Sequence, residues 1–147
     1  MKLHTTNNSA MNTVTGYGGG FVEINKSRYE HAVFFGPLGE IQKWPALSPT
    51  DISHDLLMLA AGLSYGEADP MAFLEADEDA EVPIVGQRPE VLLIGTGARQ
   101  ILLGQDVIGQ MLRIGVGVEC MSTQAAARTY NILMEEGRQV VAALIPE

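Results

Sequence analysis

The sequence predicts a single mixed α/β domain in which an antiparallel N-terminal region joins a C-terminal βαβαβ unit. After residue 90, apolar runs typical of strands alternate with amphipathic runs typical of helices. Strands separated by helices need right-handed crossovers, so these strands are expected to lie parallel in one sheet. The 147 residues fit one domain. We expect that domain at residues 13–147, with a mobile polar tail at 1–12.

The first third of the chain favours antiparallel strands. Phe21–Ile24 alternates apolar and polar residues after a turn of three glycines at 18–20. Residues 29–35 are rich in aromatic and β-branched side chains, and residues 40–44 resume the alternation. The Gly/Pro turn at 36–39 between these two runs predicts a hairpin.

A helix is predicted to begin at Ser48 and to end at Gly62. Ser48 caps the start, Pro49 occupies the first helical position, where a missing N–H has no cost, and Asp51 lies near the positive end of the helix dipole. The expected inner face, at helical spacing, consists of Ile52, Leu56, Leu59 and Ala60.

Residues 62–88 are expected to form an acidic, exposed excursion from the domain. Between Lys43 and Arg88 there is no lysine or arginine, whereas seven acids lie between Gly66 and Glu81. Such a segment repels itself and buries little apolar surface. One short helix is predicted inside it, at 70–75.

The C-terminal unit contains three predicted strands and two predicted helices. The strands are 91–94, 116–121 and 139–145, and the helices are 106–113 and about 123–136. The expected inner residues are Val107, Ile108, Met111 and Leu112 in the first helix, and Ala126, Tyr130, Leu133 and Met134 in the second.

Composition excludes several classes of protein. The net charge of −9 and the scattered basic residues exclude a nucleic-acid binder, and no apolar stretch is long enough to insert into a membrane. The polar N-terminus has no secretory h-region, and the single Cys120 suits a reducing compartment. We therefore expect a cytoplasmic protein. The oligomeric state is left open, with a homodimer among the options.

The motifs that suggest catalysis or metal binding fail on inspection. The G-x-S-x-G pattern at 62–66 follows a predicted helix, and every histidine precedes Ser64. The spacing of Asp77, Asp79 and Glu81 lacks the glycine of a calcium loop. Cys120 has no base near it in the chain, so a buried structural thiol is expected. The sequence thus favours a non-catalytic protein without metal or cofactor, although it does not settle whether there is any enzymatic activity.

The best candidate for a binding site is the turn Gly95-Thr96-Gly97. It follows the carboxyl end of a buried strand, which is where open α/β folds bind ligands. Gln100 stands where a dinucleotide fingerprint needs its third glycine, which argues against a nucleotide. The polar residues expected to complete the pocket are Glu119, Thr123, Asn131 and Arg138. For Glu119, a structural ion pair with Arg128 or Arg138 that fixes the helix against the sheet is the favoured interpretation, and a polar pocket near the glycine turn is the alternative.

The C-terminal half resembles the family classed as domain of unknown function 498. The resemblance is carried by the segment 117–123, by Ala126, by residues 129–131 and 136–138, and by 142–145, while 95–97 matches the glycine turn of the family. A looser match in the first third involves Tyr17, Gly20, Tyr29, Trp44 and Pro45. The resemblance implies an α/β fold with a mixed sheet and no established enzymatic activity. The mitochondrial member is assembly factor 3 of respiratory complex I, so the resemblance also implies a protein partner.

Two functions are therefore expected. The first is a non-catalytic interaction module that helps assemble a membrane or respiratory complex. The alternative is a small-molecule binder or enzyme with its site at Gly95-Thr96-Gly97.

Overall fold

The computed structural model of the chain describes residues 11–66 and 82–147. The predicted helix at 70–75, the spacing of Asp77, Asp79 and Glu81, and most of the acidic stretch lie outside the described residues. So do residues 1–10 of the predicted tail. Asn12 is buried, and its amide Nδ2 donates to the carbonyl oxygens of Gly36 and Gly39, both at 2.9 Å.

A five-stranded mixed sheet forms the centre of the fold. Its C-terminal strands are β8 (Val91–Gly95), β9 (Gly117–Met121) and β10 (Val140–Leu144), and its N-terminal strands are β4 (Val33–Phe35) and β5 (Gln42–Lys43). The order is β5-β4-β10-β8-β9. The strands β10, β8 and β9 are parallel, whereas β4 is antiparallel to both β10 and β5. The predicted fold class and the predicted hairpin are confirmed.

A three-stranded antiparallel meander lies beside this sheet. It consists of β1 (Val14–Gly18), β2 (Phe21–Ile24) and β3 (Ser27–Tyr29). The run at 29–35, predicted as one strand, is divided between two sheets, because Tyr29 ends the meander and Val33 begins β4. Between β2 and β3, Asn25 and Lys26 have φ of +53° and +68°, as a two-residue hairpin turn of type I′ requires.

Helices cover both faces of the central sheet. The helices α1 (His54–Ala61) and α2 (Gln105–Arg113) pack on one face, in a core that includes Trp44, Leu92 and Met111. The helix α3 (Thr123–Glu135) and the meander cover the other face, with Tyr130 fully buried between them. Two short strands, β6 (Ser64–Tyr65) and β7 (Ile84–Val85), pair antiparallel beyond α1. None of the described helices has the length and hydropathy needed to cross a bilayer.

The N-terminal boundary of α1 differs from the predicted helix. Residues Pro49–Asp51 form a single 3-10 turn, and α1 begins only after Ser53, whose hydroxyl accepts from the N–H of Leu56. Asp51 instead accepts hydrogen bonds from the N–H groups of Leu47 and Ser48. The predicted end at Gly62 is confirmed, because this residue is the left-handed cap with φ of +72°.

Two leucines expected on inner helix faces are exposed. Leu59 on α1 is 44% exposed and Leu112 on α2 is 66% exposed. Both expectations are wrong: at about 100° of rotation per residue, Leu59 lies on the side of α1 opposite the buried Leu57, and Leu112 is rotated away from the buried Met111. Leu57, Met58, Ala60 and Ala61 fill the buried stripe of α1, and Met111 fills that of α2.

Candidate functional site

The carboxyl ends of β8, β9 and β10 are joined by backbone hydrogen bonds. The N–H of Thr96 donates to Met121, the N–H of Thr123 donates to Gly97, and the N–H of Ile145 donates to Gly95, each at 2.9 Å. These bonds place Gly95, Thr96, Gly97 and Thr123 together at the carboxyl ends of the parallel strands, where the sequence predicted a site. The question is whether their polar groups are available to a ligand.

The hydroxyl of Thr96 is used inside the turn. Its Oγ1 lies 2.5 Å from the carbonyl oxygen of Arg99 and 3.0 Å from that of Met121, and it accepts from the N–H of Ile101 at 3.0 Å. The side chain is only 3% exposed. Thr96 therefore closes the loop that leads from β8 toward α2.

Thr123 is the first residue of α3, and its hydroxyl bonds to backbone groups that follow β8 and β10. Its Oγ1 accepts from the buried N–H of Gly97 at 2.8 Å and donates to the carbonyl of Ile145 at 2.5 Å. The residue is 1% exposed. The hydroxyl thus satisfies two backbone groups that have left the regular sheet ladder.

Both glycines of the turn have steric reasons to be glycine. A Cβ on Gly95 would lie 2.9 Å from Leu144 Cδ2 and 3.0 Å from the Cα of Thr123, so α3 approaches β8 too closely for a side chain. Gly97 has φ of +97°, in the region that favours glycine. The glycine turn therefore permits close packing of a helix against a strand.

The other predicted site residues lie elsewhere. Asn131 on α3 docks the meander, since its Oδ1 accepts from the N–H of Val14 at 3.0 Å and its Nδ2 donates to the carbonyl of Val14 at 2.9 Å. Glu119 is exposed on β9, and neither ion pair among the described residues involves it. Arg138 lies at the opposite end of the strands, where its Nε donates to Glu90 Oε2 at 3.0 Å.

Cys120 is buried on the α2 face of β9 at 7% exposure. Burial raises the pKa of the thiol above its ordinary value of 9.0, and the neighbouring Glu119 carboxylate raises it further, against a lowering contact with the backbone of Leu103. A thiol that is buried and protonated at neutral pH is a poor nucleophile.

A cavity of about 360 Å³ opens at the amino ends of β8 and β10. Apolar groups form most of its wall, and Gln87, Arg138 and Gln139 contribute polar groups at its edge. The apolar lining residues are Met11, Pro37, Leu38, Pro89, Met134, Val140 and Val141. Asn12 fixes the 36–39 turn beside it. Sequence patterns gave no signal for this cavity, because its lining comes from four separate segments.

A family of proteins of unknown function, DUF498/DUF598, matches the chain over residues 14–145. A Mth938-like domain from Bordetella pertussis is 53% identical, with a TM-score of 0.72 over 93% of this chain and 87% of that one. The 13 kDa major membrane protein of Francisella tularensis is 39% identical over 62 residues, which are 42% of this chain and 50% of that protein. The human NADH dehydrogenase [ubiquinone] 1 alpha subcomplex assembly factor 3 is 42% identical over 59 residues, which are 40% of this chain and 32% of that protein. The matches thus span half or less of these two curated relatives.

Proposed function

The chain belongs to the DUF498/DUF598 family, and from this premise we propose that it is a non-catalytic interaction module that assists the assembly of a membrane or respiratory complex. The observation that carries the proposal is the 42% identity to complex I assembly factor 3. The match covers about a third of the relative. That this chain has a protein partner of the same kind as that relative is therefore itself part of what we propose.

The chemistry of the strand-end turn supports a non-catalytic role. Thr96 and Thr123 are buried, and their hydroxyls are engaged with backbone groups. Cys120, the one cysteine, is buried with a raised pKa. An acyl-transfer or redox site needs a nucleophile that is both activated and accessible. These side chains meet neither requirement.

We propose that the protein is located in the cytoplasm, next to the membrane in which its partner complex is assembled. The single cysteine suits a reducing compartment. The Francisella relative is named as a membrane protein. Both facts fit a protein that acts beside a membrane through contacts with another protein.

Affinity capture tests the proposal. The tagged chain is expressed in its source organism and recovered at low salt in a mild detergent, and bound proteins are quantified by mass spectrometry. We expect one protein, or the subunits of one complex, in near-stoichiometric amount. Recovery of the tagged chain alone would count against an interaction module.

Small-molecule binding is the second candidate, and the cavity beside Arg138 favours it. A volume of about 360 Å³ falls in the range of small-ligand pockets. We place this candidate at the cavity because the hydroxyls of the glycine turn already have partners. A thermal-stability screen against a metabolite library tests it. A ligand at about 100 times its dissociation constant should stabilise the fold by about 2.7 kcal/mol, and Arg138→Met should abolish the shift. A library without hits would argue against this function.

A further inference from the structure

The two edges of the central sheet differ in their protection. The edge strand β5 has only two residues, one of them Lys43, and Pro45 follows it closely. Short length, lysine and proline are the usual protections against unwanted strand pairing. The opposite edge strand, β9, has five residues and contains no lysine, arginine or proline. It is the longer and less protected edge.

Backbone groups of β9 point outward from the sheet. The carbonyl of Met121 accepts from Thr96 beside β8, so Met121 faces into the sheet. Because the direction of these groups alternates along a strand, the N–H and C=O groups of Val118 and Cys120 face the outer edge. Among the residues that the structure describes, this edge receives a side-chain hydrogen bond from Gln100, whose Nε2 donates to the carbonyl of Cys120 at 2.9 Å. Within residues 11–66 and 82–147, the N–H groups of Val118 and Cys120 and the carbonyl of Val118 have no hydrogen-bond partner and are the groups that a partner strand would use.

The negative charge of Glu119 on β9 determines which side chain a partner strand can place opposite it. Glu119 lies between the two outward-facing residues, is exposed, and takes part in neither ion pair of the described chain. Antiparallel pairing with a second copy, with Val118 opposite Cys120, would place two Glu119 carboxylates directly across from each other. Like charges in that position destabilise a pair of strands, whereas a basic side chain would stabilise it.

We propose that an extended segment of a partner protein adds to the sheet as an antiparallel strand along β9, with a lysine or arginine across from Glu119. The inference rests on the proposed interaction function and specifies its surface. Backbone hydrogen bonds to the N–H groups of Val118 and Cys120 and to the carbonyl of Val118 hold the segment, as in other cases of strand addition to a sheet edge. Glu119 then occupies a non-hydrogen-bonded pair, the type in which facing side chains are closest.

Two synthetic peptides test the geometry by NMR titration of the isotopically labelled chain. Both alternate threonine and valine over seven residues and are blocked at their ends, and the central residue is lysine in one and glutamate in the other. We expect the lysine peptide to shift the amide signals of residues 117–121 and to bind at least about threefold more tightly than the glutamate peptide. Shifts centred elsewhere, or equal affinities, would overturn the proposal.

Val118→Pro and Val118→Ala separate the role of the backbone from that of the side chain. Because the N–H of Val118 faces outward, proline removes no bond to β8, and it is tolerated at such an edge position. Both variants lose the same partly buried side chain, but alanine keeps the N–H. We expect Val118→Pro to weaken binding of the lysine peptide by about tenfold relative to Val118→Ala. Equal binding by the two variants would contradict strand addition.

Glu119→Lys is a third variant, and it alters only an exposed side chain. It should reverse the preference, so that the glutamate peptide binds more tightly than the lysine peptide. An unchanged preference would show that Glu119 does not face the added strand. Sedimentation of the free chain shows whether it pairs with a second copy of itself. A dimer that Val118→Pro dissociates would mean that β9 pairs with β9 of another copy, and would overturn the proposal of a different partner protein.

Affinity capture with the same variants distinguishes the surface from the function. Recovery of the partner by Val118→Ala and its loss with Val118→Pro would support docking on β9. Equal recovery by both variants would refute this surface and leave the interaction function intact. If the unaltered chain captures nothing, the proposed function fails, and the peptide titrations alone decide whether β9 accepts a strand.

Discussion

Thr123→Val removes one hydroxyl from the junction of three parallel strands and keeps the shape of the side chain. The hydroxyl satisfies the N–H of Gly97 and the carbonyl of Ile145, and the threonine is 1% exposed. Valine leaves both of these buried backbone groups unpaired, and each unpaired group costs about 1–3 kcal/mol. We therefore expect the substitution to lower the free energy of unfolding by about 2–6 kcal/mol.

Urea unfolding followed by circular dichroism measures this free energy, and Thr123→Ser is the matched control. Serine keeps the hydroxyl and loses one methyl group, so it should cost about 1 kcal/mol. A Thr123→Val protein within about 0.5 kcal/mol of the unaltered chain would refute a structural role for this hydroxyl. The small-molecule function at the glycine turn would then regain support.

Three further predictions concern the same region and the core. Gly95→Ala should lower the free energy of unfolding by about 1–3 kcal/mol, because its Cβ would lie 3.0 Å from the Cα of Thr123. Urea unfolding checks this, and an unchanged midpoint would contradict the close approach. Cys120 should react with a disulfide reagent such as DTNB at least about tenfold more slowly in the folded chain than in urea, since the thiol is buried and its pKa is raised. Equal rates would contradict the burial. Stability should decrease at alkaline pH because burial raises the pKa of both Cys120 and Tyr130, from ordinary values of 9.0 and 10.0. The folded state then binds more protons than the unfolded state above these ordinary values, so the stabilisation is complete below about pH 9 and is lost as the pH rises beyond it. Melting temperatures between pH 7 and 11 measure the effect, and a flat profile would contradict it.

The C-terminal unit could be predicted from the sequence because each of its elements has a periodic apolar pattern with clear ends. Ser122 caps α3 by accepting from the N–H of Ala125, and Gly137, with φ of +78°, follows its end. The meander was harder to predict. The strand β1 contains Gly16 and Gly18, which weaken strand signals, and it depends on Asn131, more than 100 residues away, for its docking.

The candidate site shows a different limit of sequence reasoning. The pattern of a strand followed by a glycine turn correctly placed Gly95, Thr96, Gly97 and Thr123 at the carboxyl ends of the parallel strands. It could not tell whether Thr96 and Thr123 face a ligand or the backbone, because each hydroxyl also bonds to a distant segment of the chain, Met121 for Thr96 and Ile145 for Thr123. Arg138 was grouped with them although it lies at the opposite end of the strands, beside Glu90. A short distance along the chain does not show which end of a parallel sheet a residue occupies.

The proposal that this chain assists the assembly of a respiratory complex is tested most directly by the amount of assembled respiratory complex I in cells of the source organism that lack this chain. Native gel electrophoresis with a stain for NADH dehydrogenase activity measures it. The account predicts a marked loss of the assembled complex while its separate subunits are still made, and restoration by the unaltered chain. Normal assembly without the chain would contradict a role in building this complex.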